Sequence, residues 1–140
     1  MFALFAVQPG DRPRRRAARA LYLRHGAEKT PEGRSLQLLR RWLSPAQRTQ
    51  YGQRGYFEVL GGETGSRYRI YTGTSTNVCE IDENGRPKVG LCFLPRGDLP
   101  IGDVMLAQKI ALESCETSAL AVARKFTPNG FLFSRSRPLG

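Results

Sequence analysis

Between residues 56 and 93 the chain reads as four short β-type runs, broken by turn residues. Phe57 and Val59 alternate with Glu58 and Leu60, and Tyr68 and Ile70 alternate with Arg67, Arg69 and Tyr71. GGETGS lies between these two runs, and that combination predicts a hairpin with a glycine-rich loop. A second hairpin is predicted over NVCEIDENGRPKVGLCFLP. A two-residue Asn84-Gly85 turn would set Glu83 opposite Arg86 and Cys79 opposite Gly90. A three-residue turn, Glu83-Asn84-Gly85 with Gly85 left-handed, sets Asp82 opposite Arg86 and Glu80 opposite Lys88. The second register places Cys79, Ile81, Val89, Leu91 and Phe93 on one face. Burying one coherent apolar face outweighs the cross-strand pair differences of roughly 0.2–1 kcal/mol, so the three-residue turn is expected. It puts Cys79 inside and Cys92 on the opposite face, too far around the strand for a disulfide.

Helical signals flank the hairpins. Leu36, Leu39 and Leu43 follow helical spacing, with Arg40 and Arg41 off that stripe. Ser44, Pro45 and Gln47 form an S-x-x-Q capping box that restarts the helix, and Gly52 and Gly55 end it. The break at Ser44 is too tight for the turn of a helix-turn-helix reader. Trp42 is expected in the core. Asp103 is placed to cap a helix over DVMLAQKIALES, whose stripe is Val104, Ala107, Ile110, Ala111 and Cys115, flanked by Met105 and Leu106. A short helix is expected at about residues 118–125.

The fold class that follows is α+β. A small antiparallel sheet of two hairpins, about four strands, packs on the C-terminal helix, with short helices before it. Residues 35–125 form this single domain. Residues 1–34 read as a basic arm with a possible helix over 14–24, or as the product of a start codon placed upstream of the native one. Residues 126–140 read as a basic tail.

Charge is the strongest global signal. The chain carries 22 Lys+Arg against 12 Asp+Glu, net +10. Residues 1–57 hold 12 basic and 3 acidic side chains, residues 58–123 hold 6 and 9, and residues 124–140 hold 4 and none. The basicity belongs to the two ends, where it suits nucleic acid or another polyanion. Guanidinium groups present a planar fork to phosphate, so Arg14, Arg15, Arg16, Arg40, Arg41, Arg48 and Arg54 are candidate nucleic-acid contacts. Arg67, Arg69 and Tyr71 share one strand face and are candidates for a single-stranded segment. The competing reading of that face is a solvated surface on which Glu58, opposite Arg69, neutralises charge locally.

Other chemistries find little purchase. GGETGS lacks the Lys and the following helix of a phosphate-binding P-loop and lacks the G-x-G-x-x-G of a dinucleotide site, so it reads as a turn. Cys79, Cys92 and Cys115 stand 13 and 23 residues apart with no C-x-x-C, and His25 is the only histidine, so no metal site or cofactor is expected. The folded unit holds no histidine for a Ser-His or Cys-His pair. Glu58, Glu80, Asp82 and Glu83 leave a carboxylate-dependent hydrolase as a third reading, behind nucleic-acid binding and an adaptor subunit of a larger protein or ribonucleoprotein complex. The opening run MFALFAV is too short to span a bilayer, and its charges follow rather than precede it. A cytoplasmic, non-enzymatic binding protein is the expectation.

The run GYFEVLGGETGSRYRIYTGTSTNVCEIDENGR, followed by CFLP and LPIGDVMLAQKIALE, resembles a family of small uncharacterised bacterial proteins. The resemblance covers roughly residues 42–125, with GDVMLAQKIALE its most specific piece. It implies that this stretch is the folded unit. It implies no activity and no catalytic residue.

Overall fold

The structure is a computed structural model that describes residues 29–94 and 97–128. Among these residues the order is α1 (Pro31–Trp42), α2 (Pro45–Arg54), β1 (Tyr56–Leu60), β2 (Arg67–Tyr71), β3 (Val78–Ile81), β4 (Pro87–Cys92), α3 (Ile101–Ser114), α4 (Glu116–Val122) and β5 (Arg124–Phe126). The strands form one antiparallel sheet in the order β1-β2-β3-β4-β5. The class is α+β, with α3 packed on the sheet as the sequence predicts. The fifth strand goes beyond the two expected hairpins. The helix predicted at residues 118–125 ends instead at Val122, and Arg124–Phe126 pair with Gly90, Leu91 and Cys92.

Helical structure also begins earlier than residue 35. Thr30 caps α1 by accepting from the Gly33 N–H at 3.0 Å, and Pro31 takes the first helical position. The capping box of α2 is present as predicted, with both reciprocal hydrogen bonds between Ser44 and Gln47. Gly52 does not stop α2, which continues to Arg54 and closes on left-handed Gly55 (φ 75°).

The second hairpin combines the two registers that the sequence offers. At the turn Asp82 N–H donates to the Arg86 carbonyl and Gly85 is left-handed at φ 77°, as a three-residue turn requires. Ile81 then faces Pro87, but a bulge shifts the pairing so that Glu80 faces Val89 and Cys79 faces Gly90. The predicted single apolar face is therefore wrong. Val78 and Leu91 join the main core, while Cys79 and Ile81 turn to the other side. Cys92, two residues on from Gly90, falls on the face of Cys79 rather than opposite it. None of the three cysteines is in a disulfide.

The bulge is tolerated because the sheet buries apolar residues on both faces. One face sets Phe57, Val59, Tyr68, Ile70, Val78 and Leu91 against Leu39, Leu43, Met105, Leu106 and Leu112. The other gathers Tyr56, Tyr71, Cys79 and Ile81, with Phe126 packed against them. On α3 the buried positions are Gly102, Val104, Met105, Leu106, Gln108, Lys109 and Leu112. Ala107, Ile110 and Cys115, predicted for the buried stripe, are exposed. The helix is apolar on most sides, so its period does not say which side meets the sheet. Inside, the Gln108 and Asn77 amides pair reciprocally at 2.9 and 3.0 Å, and Asn77 also donates to the Tyr71 carbonyl.

Asp103 makes no cap for α3. Helix α1 supplies the partners instead: Glu32 Oε2 accepts from Ile101 N–H at 3.1 Å, and Ser35 Oγ accepts from Gly102 N–H at 3.1 Å. The orphan donors of one helix are thus satisfied by side chains of another, which locks α1 onto α3.

The outer edge of β1 is also covered. Glu58, whose N–H and carbonyl point away from β2, donates to Gln50 Oε1 at 2.7 Å and accepts from Gln47 Nε2 at 2.9 Å. Two glutamines one turn apart on α2 therefore replace a neighbouring strand. Gln50→Ala leaves that N–H unpaired. A loss of about 1 kcal/mol is expected in a urea titration, and an unchanged midpoint would show that water replaces the amide at no cost.

Candidate nucleic-acid interface

The basic residues fall into two groups. The first lies on α1 and α2 and just before α1, where Lys29, Arg34, Arg40, Arg41, Arg48 and Arg54 face one acid, Glu32, across residues 29–57. Glu32 is committed to the N-terminus of α3. Residues 58–128 hold 8 basic and 9 acidic side chains, so the positive charge of the described domain sits on the helix pair. Arg40 and Arg41 are exposed in the last turn of α1, where cations complement the helix dipole. Arg48 folds back from α2. Its Nε donates to the Arg40 carbonyl and its Nη2 to the Leu43 carbonyl, both at 3.2 Å. It caps the end of α1 while keeping its charge at the surface. Trp42, expected in the core, is 58% exposed at this same helix end.

The second group surrounds a groove of about 750 Å³ between α2 and the strands β1 and β2. Arg54, Arg67 and Arg69 line it with Glu58, Tyr56 and the glutamines of α2. Glu58 bridges two guanidinium groups, with Arg67 Nη2 at 2.8 Å and Arg69 Nε at 3.0 Å. Burial pushes the Glu58 carboxyl up, but the hydrogen bonds from Arg67 and Arg69 outweigh it and hold the group below the usual range. Arg69 lies over the Tyr56 ring at 4.7 Å from its centre. Arg67 also donates to the Asp82 and Glu83 carbonyls, tying the two hairpins together. The pairing of Glu58 with Arg69 that the sequence suggests is present, and one carboxylate serves two arginines. Tyr71 is buried with its ring 5.0 Å from that of Tyr56, so it contributes packing here. Gln53 Oε1 is buried and accepts no hydrogen bond among the described residues.

The glycine-rich loop does hold an anion, and the anion is the protein's own. Glu116, fully buried at the start of α4, inserts its carboxylate into GGETGS. It accepts from Glu63 N–H at 3.0 Å, Thr64 N–H at 2.8 Å, Thr64 Oγ1 at 2.6 Å and Tyr68 Oη at 2.6 Å. Burial raises its pKa, but the Thr64 and Tyr68 hydroxyls and the two backbone donors bring it down to about 2. Burial, with the same contact, pushes the Tyr68 phenol up. Space explains the paired glycines. A Cβ on Gly61 would lie 2.2 Å from the Glu116 carboxyl carbon, and one on Gly62 would lie 1.9 Å from the Glu113 carbonyl oxygen. Sequence reasoning misses Glu116 because its loop partners lie more than fifty residues away in the chain, except for Tyr68 at 48, and no local pattern links them.

Three of the four carboxylates considered for hydrolysis have structural partners, Glu58 in the groove and Glu80 and Asp82 in the second hairpin, while Glu83 is exposed. Glu80 pairs with Lys88 at 3.3 Å across the bulge, and Asp82 Oδ1 accepts from the Asn84 and Arg86 N–H groups at 2.8 Å. Those N–H bonds, Arg86 first, hold the Asp82 carboxyl below its ordinary value. Among the described residues no group of three or more His, Cys, Asp or Glu side chains is placed to hold a metal ion, and no helix is long and apolar enough to cross a membrane.

The structure therefore brings Arg40, Arg41 and Arg48 together at the end of α1, and Arg54, Arg67 and Arg69 together in the groove. Arg14, Arg15 and Arg16 lie outside the described residues. Compared with known protein families, curated proteins and solved structures, this chain finds no match among any of the three.

Proposed function

We propose that the protein binds nucleic acid without catalysing a reaction, through the arginines of α1 and α2. The observation that carries this reading is the partition of charge. Residues 29–57 carry net +5, from six basic side chains and one acidic, while residues 58–128 carry net −1, from eight and nine. Arg41 is exposed and makes no ion pair among the described residues. Arginine forks on a rigid helix pair can neutralise several phosphates in succession, with little dependence on base sequence. Three cysteines without a disulfide suit a reducing compartment, for which the cytoplasm is our assignment.

The test is salt dependence. If about five phosphates of a single strand are neutralised, the affinity falls roughly a hundredfold between 50 and 200 mM salt. Fluorescence anisotropy with a labelled random oligonucleotide measures it, and a flat response rejects the proposal. Arg40→Glu with Arg41→Glu is expected to weaken binding by at least about tenfold.

A second reading, an adaptor that docks on protein, is favoured by aliphatic residues exposed on α3 and α4, outside the two basic helices themselves. These include Ile110 on α3 and Val122 at the end of α4. It takes precedence if the double charge reversal leaves oligonucleotide binding unchanged.

A further inference from the structure

We infer that the nucleic acid is taken as a single strand, with a base stacked on Trp42. This rests on the nucleic-acid reading above and names the form of the ligand. Helix α1 spends its apolar stripe on the core, where Leu36, Leu39 and Leu43 are all buried. Trp42 is not part of that stripe and is 58% exposed, with Leu38, one turn earlier on the same side, 40% exposed. A large indole left in water beside arginines is the arrangement that stacks an unpaired base.

The cations are already in place around it. Arg41 precedes Trp42 and is exposed. The Arg48 guanidinium is fixed on the carbonyls of Arg40 and Leu43, the second of which follows Trp42 directly, so a positive charge is anchored at this helix end without any ordering on binding. A depression of about 350 Å³, lined by Arg34, Gln37, Leu38 and Arg41, continues along the helix and offers cationic walls for the adjoining backbone. Charge of one sign beside an aromatic surface selects a polyanion with exposed rings. In a duplex both faces of each base are covered by neighbours, so the indole gains nothing there.

The chain has one tryptophan, so its fluorescence reports this position alone. The full chain is titrated with oligo(dT) and oligo(rU) of about 15 nucleotides, with a duplex of the same length, and with polyglutamate. Quenching by the single strands is expected, together with tighter binding than to the duplex. Trp42→Ala is expected to weaken single-strand binding about tenfold and leave duplex binding unchanged, while Trp42→Phe keeps most of the affinity. Because the side chain is exposed, these variants test binding with little effect on folding. If single strands bind without quenching and Trp42→Ala binds them equally well, stacking is wrong and nucleic-acid binding stands. If neither the single strands nor the duplex binds, the underlying reading fails too, and binding of the duplex alone overturns the inference while leaving that reading in place. Quenching by polyglutamate alone assigns the surface to an acidic peptide and overturns the inference.

Discussion

Glu116→Ala is expected to lower the unfolding free energy by about 3–5 kcal/mol. The carboxylate is fully buried and is the shared acceptor for four donors, two from backbone and two from hydroxyls. Removing it leaves those donors without their anion and opens a void beneath the loop. Each hydrogen bond to a charged group contributes about 1.5–3 kcal/mol, so the loss is a large share of a domain's total stability of about 5–15 kcal/mol. Glu116→Gln keeps the volume but turns an N–H₂ toward donors, and should cost about 2 kcal/mol. The pH dependence separates charge from packing. The folded-state pKa, about 2, lies below the ordinary 4.5, so the stabilisation is complete above about pH 4.5 and is lost as the pH falls toward 2. Urea midpoints across that interval should fall more steeply for the native chain than for Glu116→Gln. Equal slopes, or an alanine variant within about 1 kcal/mol of the native chain, would show that the loop does not depend on its anion.

Gly102→Ala is expected to destabilise by about 3 kcal/mol, at the upper end of what overpacking usually costs. A Cβ there would lie 2.3 Å from the Ser35 carbonyl oxygen and 2.7 Å from the Leu36 nitrogen. Both are backbone atoms of α1, so no side chain can swing aside. Helix α1 must move, and the bonds from Ile101 and Gly102 to Glu32 and Ser35 go with it. The same substitution at Gly52 has the opposite sign. That glycine lies within α2, and a Cβ added to it would meet nothing within 4 Å, so alanine should stabilise by about 0.5–1 kcal/mol. Thermal or urea unfolding of the pair decides the matter. A Gly102→Ala variant as stable as the native chain would mean that the α1–α3 contact is slack. Because α1 carries Arg34, Arg40, Arg41 and Trp42, the variant should also weaken oligonucleotide binding.

The candidate interface is only partly legible in the sequence. The arginines on α1 and α2 are visible because a charged residue off an apolar stripe is solvent-facing whatever the stripe packs on. Their grouping is not, since Arg48 reaches α1 only through the turn at Ser44. Trp42 defies the expectation of burial because size and hydrophobicity favour the core on average, while position on the helix decides in the particular case. Glu58 stands opposite Arg69 as the alternation implies, but its second partner, Arg67, depends on the actual directions of the side chains.

What the sequence by itself determined is whatever acts within a few residues. The alternation over 56–71 specifies a hairpin, Ser44-Pro45-Gln47 specifies a helix start, and Gly85 specifies a left-handed turn, because each depends on backbone geometry and near neighbours. Only the tertiary structure decided which side of α3 is buried, where the bulge falls in the second hairpin, that Arg124–Phe126 adds a strand, and that GGETGS encloses Glu116. Those outcomes depend on surfaces brought together from distant parts of the chain. A helix apolar on most sides, or a loop rich in N–H donors, does not name its partner until the chain closes around it.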